Sequence, residues 1–272
     1  NRCWPQERDG VLRIPGLDWD ERFRLWHGDV RRLRDLPADY RMSALQARHR
    51  RALETGALVV EPGLREALAR FQGRLGFLDF ETVAPAVPVW NGTRPREQVA
   101  AQFSYHEGPA GGPYTHAEYL ADGSGDPRAA LAAQLVELTR AADRVVMYSG
   151  FERRCIRDLE CAVPALAPDL LALEAKLVDL LPVVKRYVYH PDFGGSIGIK
   201  AVLPALVEGM RYGDLVRIAD GGEASAKLER VLFGEDIPAT ERVALRGELL
   251  EYCQLDTWAM VKLLERLWEL AA

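Results

Sequence analysis

The stretch "RLGFLDFETV" is apolar enough to be a buried strand, with Phe77, Leu78 and Phe80 at its centre, yet it carries Asp79 and Glu81. Strand side chains alternate between faces, so residues two apart point the same way and these carboxylates stand side by side. Burying an ionised carboxylate without compensation costs several kcal/mol. Any fold of this chain therefore has to set a base, a proton or a cation against that face of the strand.

Two other acids pose the same problem. Near the end of the chain Leu249, Cys253, Asp256, Met260, Leu263 and Leu267 recur at steps of three or four, one inward-facing stripe on a helix expected from about Thr240 to Leu270. Asp256 is its only charged member. In "VVMYSGFERR", Glu152 immediately follows the carboxyl end of a buried strand. Sites in open α/β sheets form outside the carboxyl ends of parallel strands, and Glu81 lies at such an end too. If the two strands are neighbours, Asp79, Glu81 and Glu152 converge, and the last helix brings Asp256 to the same place. Without a matching set of buried lysines such acids repel one another, whereas oxygen-rich sites suit Mg²⁺ and Mn²⁺. Singly, each acid has a plainer reading. A strand DxE occurs at exposed edges, Glu152 suits a helix N-terminus, and Asp256 could pair with an arginine. The joint pattern points to a metal site.

The organisation of the chain fits an α/β fold. Residues 1–73 read as a helical, arginine-rich extension or the remnant of an upstream module, with a turn at "RDLPADYRMSA", a short helix at "GLREALARF" and no convincing strand. From residue 74 to 272 the grammar changes. "GFLDFE", "EQVAAQFSYHE" and "YTHAEYLA" alternate as three antiparallel neighbours. A helix follows Asp126 and Pro127, then the strand "DRVVMYSG" and the helix "FERRCIRDLECAV". That order implies a mixed sheet, an antiparallel half joined to parallel βα units and flanked by helices. "AKLVDLLPVV" reads as a short strand or a helix start.

The formal charge of −5 does not announce a nucleic-acid binder. Locally the balance reverses between Glu21 and Arg51, where Arg22, Arg24, Arg31, Arg32, Arg34, Arg41, Arg48, Arg50 and Arg51 crowd one end, which suits a solvated helix surface or a grip on nucleic acid. No apolar run approaches the roughly 18 to 20 residues of a membrane span and no signal-peptide pattern opens the chain, so a soluble, cytoplasmic protein without membrane partners is expected. The first residue is Asn1 rather than Met, which reads as a piece cut from a longer polypeptide. Cys3, Cys155, Cys161 and Cys253 form no CxxC, which argues against a zinc ribbon or disulfide scaffold; the last three fall in helical patterns and are expected in the core. An HExxH motif and a Rossmann glycine fingerprint are both missing from the sequence.

The order DFE, YSGFE and YCQLD resembles the three exonuclease motifs of the DEDD superfamily of 3′-to-5′ exonucleases, a ribonuclease H-like group. More narrowly, "FLDFET", "QFSYH", "GGSIGIKAVLPAL" and "EYCQLDTWAMV" look like an uncharacterised bacterial domain of that superfamily, often found behind a RecB-like nuclease module. The resemblance covers Arg74 to the end. It implies a ribonuclease H-like mixed sheet and two divalent ions, Mg²⁺ or Mn²⁺, held by Asp79, Glu81, Glu152 and Asp256. Asp79 would touch both ions, Glu81 and Asp256 would hold the one that activates water, and Tyr252, four residues before Asp256, matches the tyrosine of the DEDDy subgroup that orients this water. The implied activity is two-metal attack on a terminal phosphodiester of single-stranded DNA or RNA, releasing a nucleoside monophosphate. The second motif normally carries Asp where this chain has Glu152, so the alternative is a catalytically impaired module that positions nucleic acid for a partner nuclease. In RecB-like neighbours cysteines after the nuclease core hold an iron–sulfur cluster, and Cys3 could be the last of such a set; no cluster is expected in this chain.

Lesser candidates remain. Asp179 is a second choice for the third acid, with a strand-end or helix-cap role as its plainer reading. Ser196 precedes an expected helix start, as N-cap or, with Lys200, as a phosphate contact. Tyr148 and Phe151 are read as core packing or as a base-stacking surface. His106 and His116 are read as structural or surface residues.

Overall fold

The computed structural model describes residues 7–272, the side chains of Asp214 and Leu215 excepted. In chain order the helices are α1 (Trp19–His27), α2 (Ala44–Thr55), α3 (Leu64–Leu68), α4 (Arg128–Leu138), α5 (Phe151–Ala162), α6 (Ala167–Lys176), α7 (Leu181–Tyr187), α8 (Ile199–Leu206), α9 (Tyr212–Leu215), α10 (Gly221–Phe233) and α11 (Ala239–Leu270). The strands are β1 (Val59–Val60), β2 (Arg74–Val83), β3 (Val99–Pro109), β4 (Thr115–Leu120), β5 (Arg144–Met147), β6 (Leu177–Asp179) and β7 (Val188–Tyr189). The chain divides into two units. One comprises the residues up to Leu68 with Leu181–Gly209 and Arg266–Ala272; the other comprises Ala69–Leu180 and Met210–Glu265.

The second unit is an α/β layer around a five-stranded mixed sheet of order β4-β3-β2-β5-β6. β4, β3 and β2 pair antiparallel with one another, while β5 and β6 continue the sheet parallel to β2. The alternation in β2 sorts its side chains onto two chemically different faces. Leu78 and Phe80 enter an apolar core with Leu131 and Leu135 of α4, Ile156 and Leu159 of α5 and Leu170 of α6. The other face is partly polar. There Gln102 Nε2 donates to the Leu249 carbonyl of α11 at 2.7 Å, and Ser104 Oγ and His106 Nδ1 each lie 2.8 Å from Thr257 Oγ1. Gly76 is required at its place in β2, because a Cβ there would fall 2.3 Å from the Tyr105 hydroxyl. The segment left ambiguous by its sequence, "AKLVDLLPVV", resolves into β6 followed by α7.

The first unit has its own small core of Val11, Leu12, Ile14, Leu25 and Leu33. Ser43 and Gln46 cap α2 reciprocally, each side chain bonding the other's backbone N–H. The antiparallel pair β1–β7 brings Val59 opposite Tyr189, and the Tyr189 hydroxyl lies 2.7 Å from His49 Nδ1.

Four expectations need correction or restatement. The N-terminal segment does contain a strand, β1, whose partner lies in residues 181–209. The single boundary drawn after residue 73 is replaced by a discontinuous division in which that later segment groups with the N-terminal residues. Cys161 is exposed, unlike Cys155 and Cys253, because it sits on the outer side of the α5 stripe. Ser196 is not the N-cap of α8; that position is Gly198, whose N–H donates to Ser196 Oγ at 3.2 Å. Among the described residues no helix is long and apolar enough to cross a membrane. Cys3 lies outside the described residues.

Candidate metal centre

The polar face of β2 puts Asp79 and Glu81 beside each other, across from Ser104 and Gln102 of β3. Directly after Glu81 the β2–β3 register slips at a bulge. Bulges re-aim side chains and end regular pairing, and they recur beside functional sites. The stripe on α11 delivers Asp256 to the same point. One carboxylate oxygen from each of Asp79, Glu81 and Asp256 lies within 4.8 Å of the others. The apolar members of that stripe, Leu249, Cys253, Met260, Leu263 and Leu267, are buried, as the spacing requires.

Glu152 reaches the cluster from the first turn of α5, just beyond the carboxyl end of β5. It is 3% exposed, and its Oε2 is buried with no hydrogen-bond partner. Burial is the main reason its carboxyl is pushed up to about 8, with Asp179 and Asp256 adding to the effect and its own backbone N–H opposing it. Asp79 is raised well above the usual carboxylate range by burial first, then by Asp256, Glu81 and Glu152. Asp79 and Glu152 therefore share one negative field, in which Asp256 opposes the ionisation of both.

The sequence leaves two further groups unmarked. Tyr212, buried on α9, donates its hydroxyl to Asp256 Oδ1 at 2.6 Å. Burial, Asp256 and that hydrogen bond hold the phenol protonated beyond the usual tyrosine range. The thiol of Cys253 lies 3.5 Å from Asp79 Oδ2, and burial with Asp79, Glu81 and Asp256 raises it as well. For Cys253 a signal existed, since it shares the inward stripe with Asp256. Tyr212 sits in a four-residue helix too short to show a period.

Tyr252 is buried one turn before Asp256, and after burial its strongest influences are Asp256, Glu81 and Asp79, which place its phenol in the same field. Asp179 ends β6 and accepts the Ser149 N–H at 3.1 Å. Ser149 holds a left-handed φ of 111°, so Asp179 braces a strained turn just ahead of Glu152. Its relation to Glu152 is one of charge as well, yet it is not one of the three acids whose oxygens meet.

Phe151 packs against the apolar core, with the Arg154 guanidinium 5.2 Å from its ring centre. Tyr148 is partly buried, and burial followed by Asp179 raises its hydroxyl. Ser196 and Lys200 belong to the first unit. His106 and His116 pair across β3 and β4 with ring centres 4.6 Å apart, and line an open cavity of about 640 Å³ with Tyr114, Leu255 and Trp258.

Over residues 76–198 the chain matches a family described as a domain of unknown function, DUF2779. That stretch holds Asp79, Glu81, Glu152 and Asp179 and ends before Tyr252 and Asp256. No curated protein matches the chain.

Proposed function

We propose that this chain is a metal-dependent 3′-to-5′ exonuclease of the ribonuclease H-like, DEDD type, acting on single-stranded ends of DNA or RNA. The observation that carries the reading is the meeting of Asp79, Glu81 and Asp256 from a strand and a distant helix, with oxygens within 4.8 Å. Three antiparallel strands continued by two parallel ones is also the sheet build expected for that group. The donor set fits hard divalent cations. Its atoms are carboxylate oxygens, the strongest charges acting on Asp79 are all negative, and Glu152 keeps a buried oxygen without a partner.

Asp79, Glu81 and Asp256 would hold Mg²⁺ or Mn²⁺, with Glu152 completing the set. Bound there, the cations would supply an activated water and neutralise charge developing on the phosphate. The protein's own part is to fix the acids on a rigid strand and helix and to surround them with buried phenols at Tyr252 and Tyr212. A second reading, a nucleic-acid-binding module with impaired chemistry, draws on Glu152, which has the longer side chain and stands outside the trio that meets most closely.

Incubation of the full chain with a 5′-labelled single-stranded oligonucleotide and Mn²⁺ tests the proposal. Mononucleotide release from the 3′ end, lost in Asp79→Ala and in chelator, is the expected result. Binding without release under these conditions favours the second reading, and neither binding nor release ends both.

A further inference from the structure

A carboxylate carried on a helix can rotate about its terminal bond, so a cation site that depends on Asp256 needs something to fix that rotation. We propose that Tyr212 is a positioning residue of the cation site: its hydroxyl pins Asp256 Oδ1 and so fixes the orientation of that carboxylate toward the metal. The proposal rests on the metal-centre reading above and extends it to a residue outside the DEDDy pattern.

Three observations support the role. The 2.6 Å separation lies in the range of a short hydrogen bond to an ionised acceptor. Tyr212 is 7% exposed, so water competes poorly for the same carboxylate oxygen. The hydroxyl reaches Asp256 from α9, an element distinct from β2, α5 and α11, which carry the acids, so it braces Asp256 from outside its own helix. A neutral phenol whose proton is engaged with Asp256 is a poor metal ligand, and its influence therefore passes through the carboxylate. Groups that hydrogen-bond a ligating side chain typically change metal affinity by about 10–100-fold when removed.

Calorimetric titration of Mn²⁺ into the full chain tests this, using wild type, Tyr212→Phe, Asp256→Ala and the double variant. Each protein is also melted in chelator, so that any loss of folding is seen separately. The expected result is Mn²⁺ binding weakened about tenfold in Tyr212→Phe, with no further weakening when Tyr212→Phe is added to Asp256→Ala. The same variant should leave the oligonucleotide KM unchanged at saturating metal. Equal Mn²⁺ affinity in wild type and Tyr212→Phe overturns the positioning role alone. Additive losses in the double variant also overturn it, since they mean that Tyr212 acts by a route other than Asp256. Failure of wild type itself to bind Mn²⁺ overturns the metal centre, and the role of Tyr212 with it.

Discussion

Glu152 makes the metal-free protein lose stability as the solution becomes more alkaline. Its carboxyl stands at about 8 in the fold against an ordinary 4.5. A group whose folded pKa is raised contributes its full share of stability below 4.5 and loses it as pH climbs through the folded value. Integrated over that whole window, at about 1.36 kcal/mol per pH unit, the loss is about 5 kcal/mol as an upper limit. Part of the window is obscured, because burial lowers His49 and His106 to about 4. Those histidines act in the opposite sense, adding stability as pH rises from about 4 toward 6.5 and nothing more above it. Between pH 6.5 and 8 the Glu152 contribution therefore stands apart from theirs, worth about 2 kcal/mol. Urea unfolding of chelator-treated protein across this range, for wild type and Glu152→Gln, measures it. The expected outcome is a downward slope in wild type that is reduced in Glu152→Gln by about that amount. Mn²⁺ should reverse the trend, because the metal binds the ionised acids and stabilises the fold most where they are deprotonated. A chelated wild type with a slope equal to that of Glu152→Gln between pH 6.5 and 8 would refute the shared-field account of the site.

Three further outcomes are expected. Asp79→Asn should raise the melting temperature of the chelator-treated protein by relieving repulsion with Glu81 and Asp256, while abolishing the rise that Mn²⁺ produces in wild type. Gly76→Ala should destabilise by about 1–3 kcal/mol in urea melts, since the new Cβ meets the Tyr105 ring as well as its hydroxyl. Asp179→Ala should cost about 1–3 kcal/mol by stranding the Ser149 N–H, whereas Asp179→Asn, which keeps an acceptor oxygen, should cost clearly less.

Much of the sheet was legible because its strands are long enough to show a period. β2, β3 and β4 run for six or more residues, and their alternation marks both faces. The same rule showed that Asp79 and Glu81 share a face, and the three-to-four spacing on α11 showed that Asp256 faces inward. What escaped has no local period. β1 and β7 are two residues each, and their pairing joins positions more than a hundred residues apart. The discontinuous first unit follows from such contacts, which sequence patterning does not encode. Tyr212 belongs to the same class, because its importance lies in one hydrogen bond to a distant residue.

The two faces of β2 also explain why the acids can be there at all. Leu78 and Phe80 drive the sheet onto α4, α5 and α6, and that apolar layer stabilises the strand irrespective of what its other side carries. Opposite, α11 meets the sheet through Gln102, Ser104, His106 and Thr257, whose hydrogen bonds are directional. An apolar seam tolerates sliding by fractions of an ångström, but a set of hydrogen bonds at fixed positions resists it. Asp256 lies one residue from Thr257, so the bonds that dock α11 also set the distance from Asp256 to Asp79 and Glu81. On this account Thr257→Val, nearly the same in shape but lacking the hydroxyl, should weaken Mn²⁺ binding although residue 257 contributes no oxygen to the trio. Unchanged Mn²⁺ affinity in a folded Thr257→Val protein would mean that the apolar residues of α11 alone fix its position.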